Sequence, residues 1–176
     1  AHDYRYFPEP DLPPLKISSE FVEELRVHLP ELPEDKKARF AKEYKLDRTT
    51  IEVIVSDKSL ADYFEGIASE IVRYDRDTPK KPVRDPLKTA AAFLTGDFLR
   101  LLNIGSIEVS DVRITPENFA ELVIYFAEDK ISNTAAKRVF EEMFRSGEDP
   151  SDIIGRLDLW QMSDAGDIED IVRHVV

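Results

Sequence analysis

Cysteine is absent from this chain of 176 residues, which excludes disulfide bonds, a thiol nucleophile and cysteine-ligated metal sites. The three histidines, His2, His28 and His174, are too scattered to predict a metal centre. Only six glycines are present, and no GxGxxG, GxxxxGKS/T, HExxH or GxSxG motif occurs. No segment approaches the roughly 20 apolar residues that cross a bilayer. We therefore expect a soluble, cytoplasmic protein that lacks a metal site, a membrane contact and a motif-defined catalytic centre.

Charge is abundant and unevenly divided. The chain carries 24 Lys and Arg against 36 Asp and Glu, a formal net charge of -12. Residues 1–88 hold 16 basic and 19 acidic side chains, whereas residues 89–176 hold 8 and 17. Two basic clusters stand out in the first half, residues 36–48 with net +4 and residues 73–88 with net +3. Such clusters are either solvated helix faces or local surfaces for a phosphate backbone.

Residues 2–14, HDYRYFPEPDLPP, combine four prolines with three aromatic residues. Proline fixes φ and keeps the preceding residue out of the helical region, so this segment is predicted to be an extended arm. The polar side chains of His2, Asp3, Arg5 and Glu9 alternate with the aromatic rings. They are suited either to lining a site on a neighbouring domain or to a linker whose rings pack on the first helix.

From Ser18 onward the apolar spacing predicts an all-α protein of seven or eight helices. Residues 49–56 are rich in β-branched side chains, but because the run is short and has no obvious partner strand, a helical turn is predicted. A long central helix is predicted from Pro86 to Asn103, with close helix packing as the reason for Gly96. The predicted helix starts are Ser18 or Ser19, Pro33, Ser56, Asp85-Pro86, Thr115-Pro116, Ser132 or Asn133, Asp149-Pro150 and Ser163.

Several segments together resemble the GatB family, one of the subunits of the Asp/Glu-tRNA amidotransferase. The arm at residues 2–14 resembles the segment that closes the catalytic cradle domain of that family. The resemblance continues through LPELP at 29–33, ADYFE at 61–65 and LTGDFLRLLN at 94–103. The C-terminal half is similar to the YqeY-like tail, through KIS at 130–132, AAK at 135–137, VFEEM at 139–143 and SD at 163–164.

The resemblance implies three parts: the end of the cradle at 1–14, a helical bundle domain at 15–110 and a second small helical domain, a partial YqeY-like tail, at 111–176. Complete GatB proteins bind ATP and Mg²⁺, phosphorylate Glu or Asp mischarged on tRNA and replace the phosphate with ammonia from an amidase subunit. Because most of the cradle is missing, this segment is expected to be inactive alone and to hold no cofactor. His2, Asp3, Arg5 and Glu9 would lie at the edge of the cradle site.

The implied role of the helical part is tRNA binding, with the amidase subunit and a small third subunit as further partners. Phosphate contacts are predicted from charge placement alone, without a family motif. The alternative is a helical interaction module that docks on partner subunits without touching RNA. The residues predicted to contact tRNA are, in order of preference, Lys80, Lys81, Arg84, Lys88, Lys36, Lys37, Lys42, Lys130, Lys137 and Arg138.

Overall fold

The computed structural model describes residues 17–28, 31–77 and 82–161. Within these ranges the regular structure is helical and contains no strand, which confirms the all-α class. No helix in the described ranges is both long and apolar enough to cross a membrane. The helices are α1 (Ser19–His28), α2 (Pro33–Glu43), α3 (Arg48–Val55), α4 (Lys58–Asp77), α5 (Pro86–Phe93), α6 (Leu99–Gly105), α7 (Pro116–Ala127), α8 (Asn133–Ser146) and α9 (Pro150–Arg156).

Two short turns complete the chain path: a π-helical turn, Leu94–Phe98, joins α5 to α6, and a 3₁₀ turn, Val109–Asp111, precedes α7. The predicted extended arm at 1–14 and the helix predicted from Ser163 lie outside the described residues.

Most helices begin at the predicted capping residue. The side chains of Asp85, Thr115, Ser132 and Asp149 each accept a bond from a main-chain N–H in the first turn. The segment predicted as a helical turn at 49–56 is helical and forms most of α3, which ends at Val55. These starts follow from local chemistry, because a short polar side chain satisfies amides that have no partner within the helix.

The cap predicted for α4 is wrong. The Asp57 carboxylate accepts the Leu60 amide at 2.9 Å. The Ser56 hydroxyl instead donates to the Val53 carbonyl at 2.7 Å, at the end of α3. Either residue suits an N-cap, and the position of α3 decides between them because Ser56 closes that helix.

The chain divides into two compact units, residues 1–32 and residues 33–176. In the first unit, the Ser18 hydroxyl accepts the Phe21 amide at 3.2 Å, so α1 begins where the sequence predicts. Phe21 and Leu25 of α1 are each 51% exposed.

The second unit is built on α4 packed along α7. Its core contains Phe64, Phe98, Phe119 and Phe140, all fully buried. The Tyr63 ring stacks on Phe98 with centroids 5.1 Å apart, and its hydroxyl donates to the Ile114 carbonyl at 2.8 Å. The core includes residues on both sides of position 110, and the division into 15–110 and 111–176 stays a prediction.

The predicted long helix is present, but the π turn interrupts it. The Leu99 N–H reaches the Leu94 carbonyl, five residues back, and the Thr95 hydroxyl donates to the Ala91 carbonyl at 2.8 Å. A side-chain bond of this kind competes with the helical ladder and favours local widening. The close packing predicted at Gly96 is wrong: no side chain or neighbouring helix among the described residues lies within 4 Å of an added Cβ.

Candidate nucleic-acid interface

A groove of about 770 Å³ runs along the outer face of the segment from α5 to α6. The beginning of α8 and the end of α7 complete it, through Asn133 and Phe126. Two carboxylates, Asp85 and Asp97, also line it. We call it the cationic groove because four basic residues lie on it: Arg84, Lys88, Arg100 and Lys137.

Arg84 is held in one place by the C-terminal end of α7. Its guanidinium carbon lies 4.5 Å from the centroid of the Phe126 ring. One guanidinium nitrogen donates to the Phe126 carbonyl at 2.8 Å and to the Asp129 carboxylate at 2.9 Å. The Arg84 amide donates to the Ala127 carbonyl at 3.1 Å. Arg84 therefore presents a planar group of fixed position whose charge Asp129 compensates.

Asp97 positions two of the other cations. Its side chain lies 3.4 Å from the Arg100 guanidinium and 3.5 Å from the Lys137 ammonium. Arg100 also pairs with Glu141 of α8 at 2.8 Å. The side chains of Arg100 and Lys137 remain 45% and 54% exposed, so both cations stay accessible to a ligand in the groove.

Lys88 differs from the other three cations because no ion pair joins it to the described part of the chain. Its near neighbour Asp85 is occupied as the N-cap of α5 and accepts the amides of Leu87 and Lys88. Lys88 and Ala92 also line a smaller groove of about 250 Å³, which contains Lys45. Lys88 thus links the cationic groove to the turn between α2 and α3, where Lys45 and Asp47 line the smaller groove.

The basic residues predicted on α2 have different surroundings. The Lys36 ammonium lies 2.9 Å from both Asp62 and Glu65 of α4, and its side chain is only 14% exposed. Burial disfavours the charged form, but the hydrogen bonds to Glu65 and Asp62 outweigh it and raise the pKa of Lys36. Lys37 pairs with Glu34 at 2.7 Å. Lys42 is exposed.

The other predicted contacts do not line the cationic groove. Lys130 pairs with Glu128 at 2.6 Å and lies over the Tyr125 ring, and Arg138 is exposed on α8. Lys80 and Lys81 lie outside the described residues. The four residues predicted for the cradle edge, His2, Asp3, Arg5 and Glu9, also lie outside them. For all of these positions the binding role stays a prediction.

Two residues of this surface, Arg100 and Lys45, are not among the predicted contacts. Arg100 lies within the LTGDFLRLLN motif, and Lys45 belongs to the basic cluster at 36–48. Helical periodicity gives no signal for Arg100, because a regular α-helix would place its side chain about 120° from that of Lys88. The π turn, which changes the register in the middle of the segment, brings the two residues to one groove.

A second groove, of about 330 Å³, lies between α4 and α7 and is acidic. It is lined by Glu70, Glu117 and Glu121 together with Tyr125. The Tyr125 hydroxyl donates to the Glu121 carboxylate. Burial raises the pKa of Glu121, with nearby Asp149, Glu117 and Asp152 adding to the shift. No cluster of three potential metal ligands occurs within residues 17–28, 31–77 and 82–161.

Comparison with known proteins agrees with the family resemblance. The chain is 42% identical over 176 residues to the GatB-type subunit of the aspartyl/glutamyl-tRNA(Asn/Gln) amidotransferase of Caldanaerobacter subterraneus and, over the same length, to that of Rickettsia rickettsii. The identity to the protein of the same name from Caldicellulosiruptor bescii is 38% over 179 residues. Each match covers 100% of this chain but 34–35% of the relative, so the chain spans about a third of their length.

The model of the GatB domain matches residues 80–176, more than half of the chain. This range contains α5 to α9 and every residue of the cationic groove. The chain therefore belongs to the GatB domain family.

Proposed function

We propose that this chain is the tRNA-binding part of the GatB subunit of an aspartyl/glutamyl-tRNA(Asn/Gln) amidotransferase. In the complete enzyme, that subunit would convert Glu-tRNA(Gln) or Asp-tRNA(Asn) to the amidated product with ATP, Mg²⁺ and glutamine-derived ammonia. The name shared by the relatives supports the assignment to that complex. ATP, Mg²⁺ and transamidation are assigned to the part of the relatives that this chain does not span.

The observation that carries the proposal is the cationic groove. Its basic residues come from the linker before α5, from α5, α6 and α8, so distant segments of the chain meet on one surface. Four basic residues against two carboxylates line the groove of a protein whose net charge is -12, and a local cationic surface on an acidic protein is the pattern expected for a phosphate ligand. We assign Lys88, Arg100 and Lys137 to phosphates of the tRNA backbone, where they supply affinity and register.

The amidase subunit and the small third subunit remain the proposed protein partners. The exposed Phe21 and Leu25 on α1 favour a docking role for the first unit. Under this second candidate function, deletion of residues 1–32 abolishes co-elution with the partner subunits in gel filtration and leaves tRNA affinity unchanged. The chain that remains after this deletion, residues 33–176, contains the whole described core.

The test of RNA binding is fluorescence anisotropy with unmodified tRNA between about 50 and 200 mM salt. We expect the double variant Lys88→Glu/Lys137→Glu to lose at least about tenfold in affinity and to reduce the slope of log K against log salt by about 1.5. The control, Lys58→Glu/Arg145→Glu, makes the same charge change at exposed positions outside the groove. Equal effects of the two double variants would contradict the proposal.

Lys80 and Lys81 lie shortly before Arg84 in the sequence, and we propose that they also contact phosphates of the tRNA. The variant Lys80→Glu/Lys81→Glu is expected to weaken tRNA binding by a similar factor. An unchanged affinity and an unchanged salt slope would reject both residues as tRNA contacts.

A further inference from the structure

We infer that the cationic groove holds a short unpaired RNA segment, with one base stacked on the Arg84 guanidinium and the neighbouring phosphates bound by Lys88, Arg100 and Lys137. This inference rests on the proposed function and specifies its ligand. It separates the two kinds of cation in the groove: Arg84 supplies a plane for a base, and the other three supply charge for the backbone.

Arg84 is suited to stacking because its plane is fixed before a ligand arrives. The ring of Phe126 lies 4.5 Å from the guanidinium carbon, and the bonds of one guanidinium nitrogen, to the Phe126 carbonyl at 2.8 Å and to Asp129 at 2.9 Å, restrain the plane. Asp129 compensates the charge, yet 40% of the Arg84 side chain is exposed. Unpaired bases stack on aromatic rings and on arginine planes, and a group that is already ordered loses little entropy on binding.

The floor of the groove leaves room for a base. Gly96 and Ala92 line it, and an added Cβ at Gly96 would meet no atom within 4 Å among the residues described. A volume of about 770 Å³ lies within the usual range of small-ligand pockets. A base in the interior of an A-form duplex has both faces covered by neighbouring bases, so it cannot offer one to Arg84.

The phosphate-binding cations flank this floor. Lys88 has no ion pair within the described ranges, Lys137 pairs with Asp97 at 3.5 Å, and Arg100 pairs with Asp97 at 3.4 Å and with Glu141 at 2.8 Å. The side chains of Arg100 and Lys137 are about half exposed, and ion pairs at such positions contribute little, so charge-assisted bonds to a phosphate replace them at low cost. An acidic peptide would also satisfy the three cations, but it would not need the fixed guanidinium plane.

The experiment compares two fluorescent probes on the whole chain, an unpaired RNA oligonucleotide of mixed sequence and a long RNA duplex of the same composition, in which nearly all bases are interior. We expect at least about tenfold tighter binding of the unpaired probe, since a stacked base contributes about that factor. Arg84→Lys removes the plane and keeps the charge, and Gly96→Leu fills the floor. Each variant is expected to bring the ratio of the two affinities close to one.

Gly155→Leu is the matched control because an added Cβ at Gly155 on α9 also meets no described atom within 4 Å. Its affinity ratio should equal that of the unmodified chain, and circular dichroism establishes that each variant is folded. A ratio near one in the unmodified chain, or a ratio that both groove variants leave unchanged, would overturn the inference. So would competition by a polyglutamate peptide as strong as competition by unlabelled unpaired RNA.

The two proposals fail differently. If Lys88→Glu/Lys137→Glu weakens tRNA binding but the unpaired probe is not preferred, the phosphate contacts stand and the stacked base is rejected. If the unmodified chain binds neither tRNA nor the oligonucleotides, both proposals are rejected.

Discussion

Lys88 and Arg100 line the same groove although they are twelve positions apart in the sequence. In a continuous α-helix, at about 100° per residue, their side chains would point about 120° apart. The π turn between them, closed by the bond from the Leu99 amide to the Leu94 carbonyl, accommodates one extra residue and removes about 100° of this difference. The irregular turn therefore aligns two cations that a regular helix would separate.

Gly96 within this turn can be replaced with a gain in stability. No described side chain or neighbouring helix lies within 4 Å of an added Cβ, so Gly96→Ala reduces the entropy of the unfolded chain without a clash. We expect the free energy of unfolding, measured by urea titration, to rise by up to about 1 kcal/mol.

Replacement of Gly147 is expected to have the opposite effect on stability from replacement of Gly96. Its φ is +75°, and an added Cβ would lie 3.0 Å from the Arg113 Cβ. Gly147→Ala is therefore expected to lower the free energy of unfolding by about 1 kcal/mol or more. If Gly96→Ala and Gly147→Ala changed the free energy of unfolding in the same direction, this explanation would be contradicted.

Lys36 is expected to matter more for stability than for RNA binding. Lys36→Met retains the aliphatic stem but removes both ion pairs to α4, Asp62 and Glu65, so the free energy of unfolding should fall by about 1–2 kcal/mol. Lys42→Met at an exposed position of the same helix should change it by less than about 0.5 kcal/mol. A loss of tRNA affinity in folded Lys36→Met greater than that in Lys88→Glu/Lys137→Glu would contradict this assignment.

Glu121 makes the stability of the chain depend on pH. Because burial raises its pKa, the folded state keeps the proton to higher pH than the unfolded state does. The contribution of the group is therefore complete at low pH and is lost as the pH rises through the folded pKa. Gln keeps an oxygen that can accept the Tyr125 hydroxyl, so Glu121→Gln should be more stable than the unmodified chain at neutral pH.

The measurement is the urea midpoint of Glu121→Gln and the unmodified chain at neutral pH and at about pH 4. The difference in urea midpoint between Glu121→Gln and the unmodified chain should be smaller at the lower pH. Glu108→Gln, at an exposed position, should show no such pH-dependent difference. If the difference in urea midpoint between Glu121→Gln and the unmodified chain were the same at both pH values, the charge of the Glu121 carboxylate would not be the cause of the difference.

Local chemistry made the helix boundaries predictable. Capping residues such as Asp85 and Asp149 act on amides two or three residues away, and proline in the first turn acts on its own φ. Sequence patterns predict the wrong cap for α4 and the wrong surroundings for Gly96, because both depend on neighbouring helices. Ser56 ends α3 and leaves the cap of α4 to Asp57, and Gly96 faces an open groove where a neighbouring helix was expected.

The candidate site was only partly predictable for the same reason. Charge alone predicts Arg84, Lys88 and Lys137, and the structure brings them together with Arg100. Charge alone also predicts Lys36, which lies in ion pairs with α4. A count of charges along the chain does not distinguish a lysine that faces solvent from one that faces a carboxylate on another helix.

The sequence by itself determined the all-α class, most helix starts and membership of the GatB domain family, because these depend on side-chain periodicity, local hydrogen bonds and residue identity. Only the tertiary structure decided which basic residues share a surface. That outcome depends on the rotation introduced by the π turn at 94–98 and on the packing of α7 and α8 beside it. Packing fixes helix orientation through contacts between residues far apart in the chain, such as Arg84 with Phe126, which no local pattern encodes.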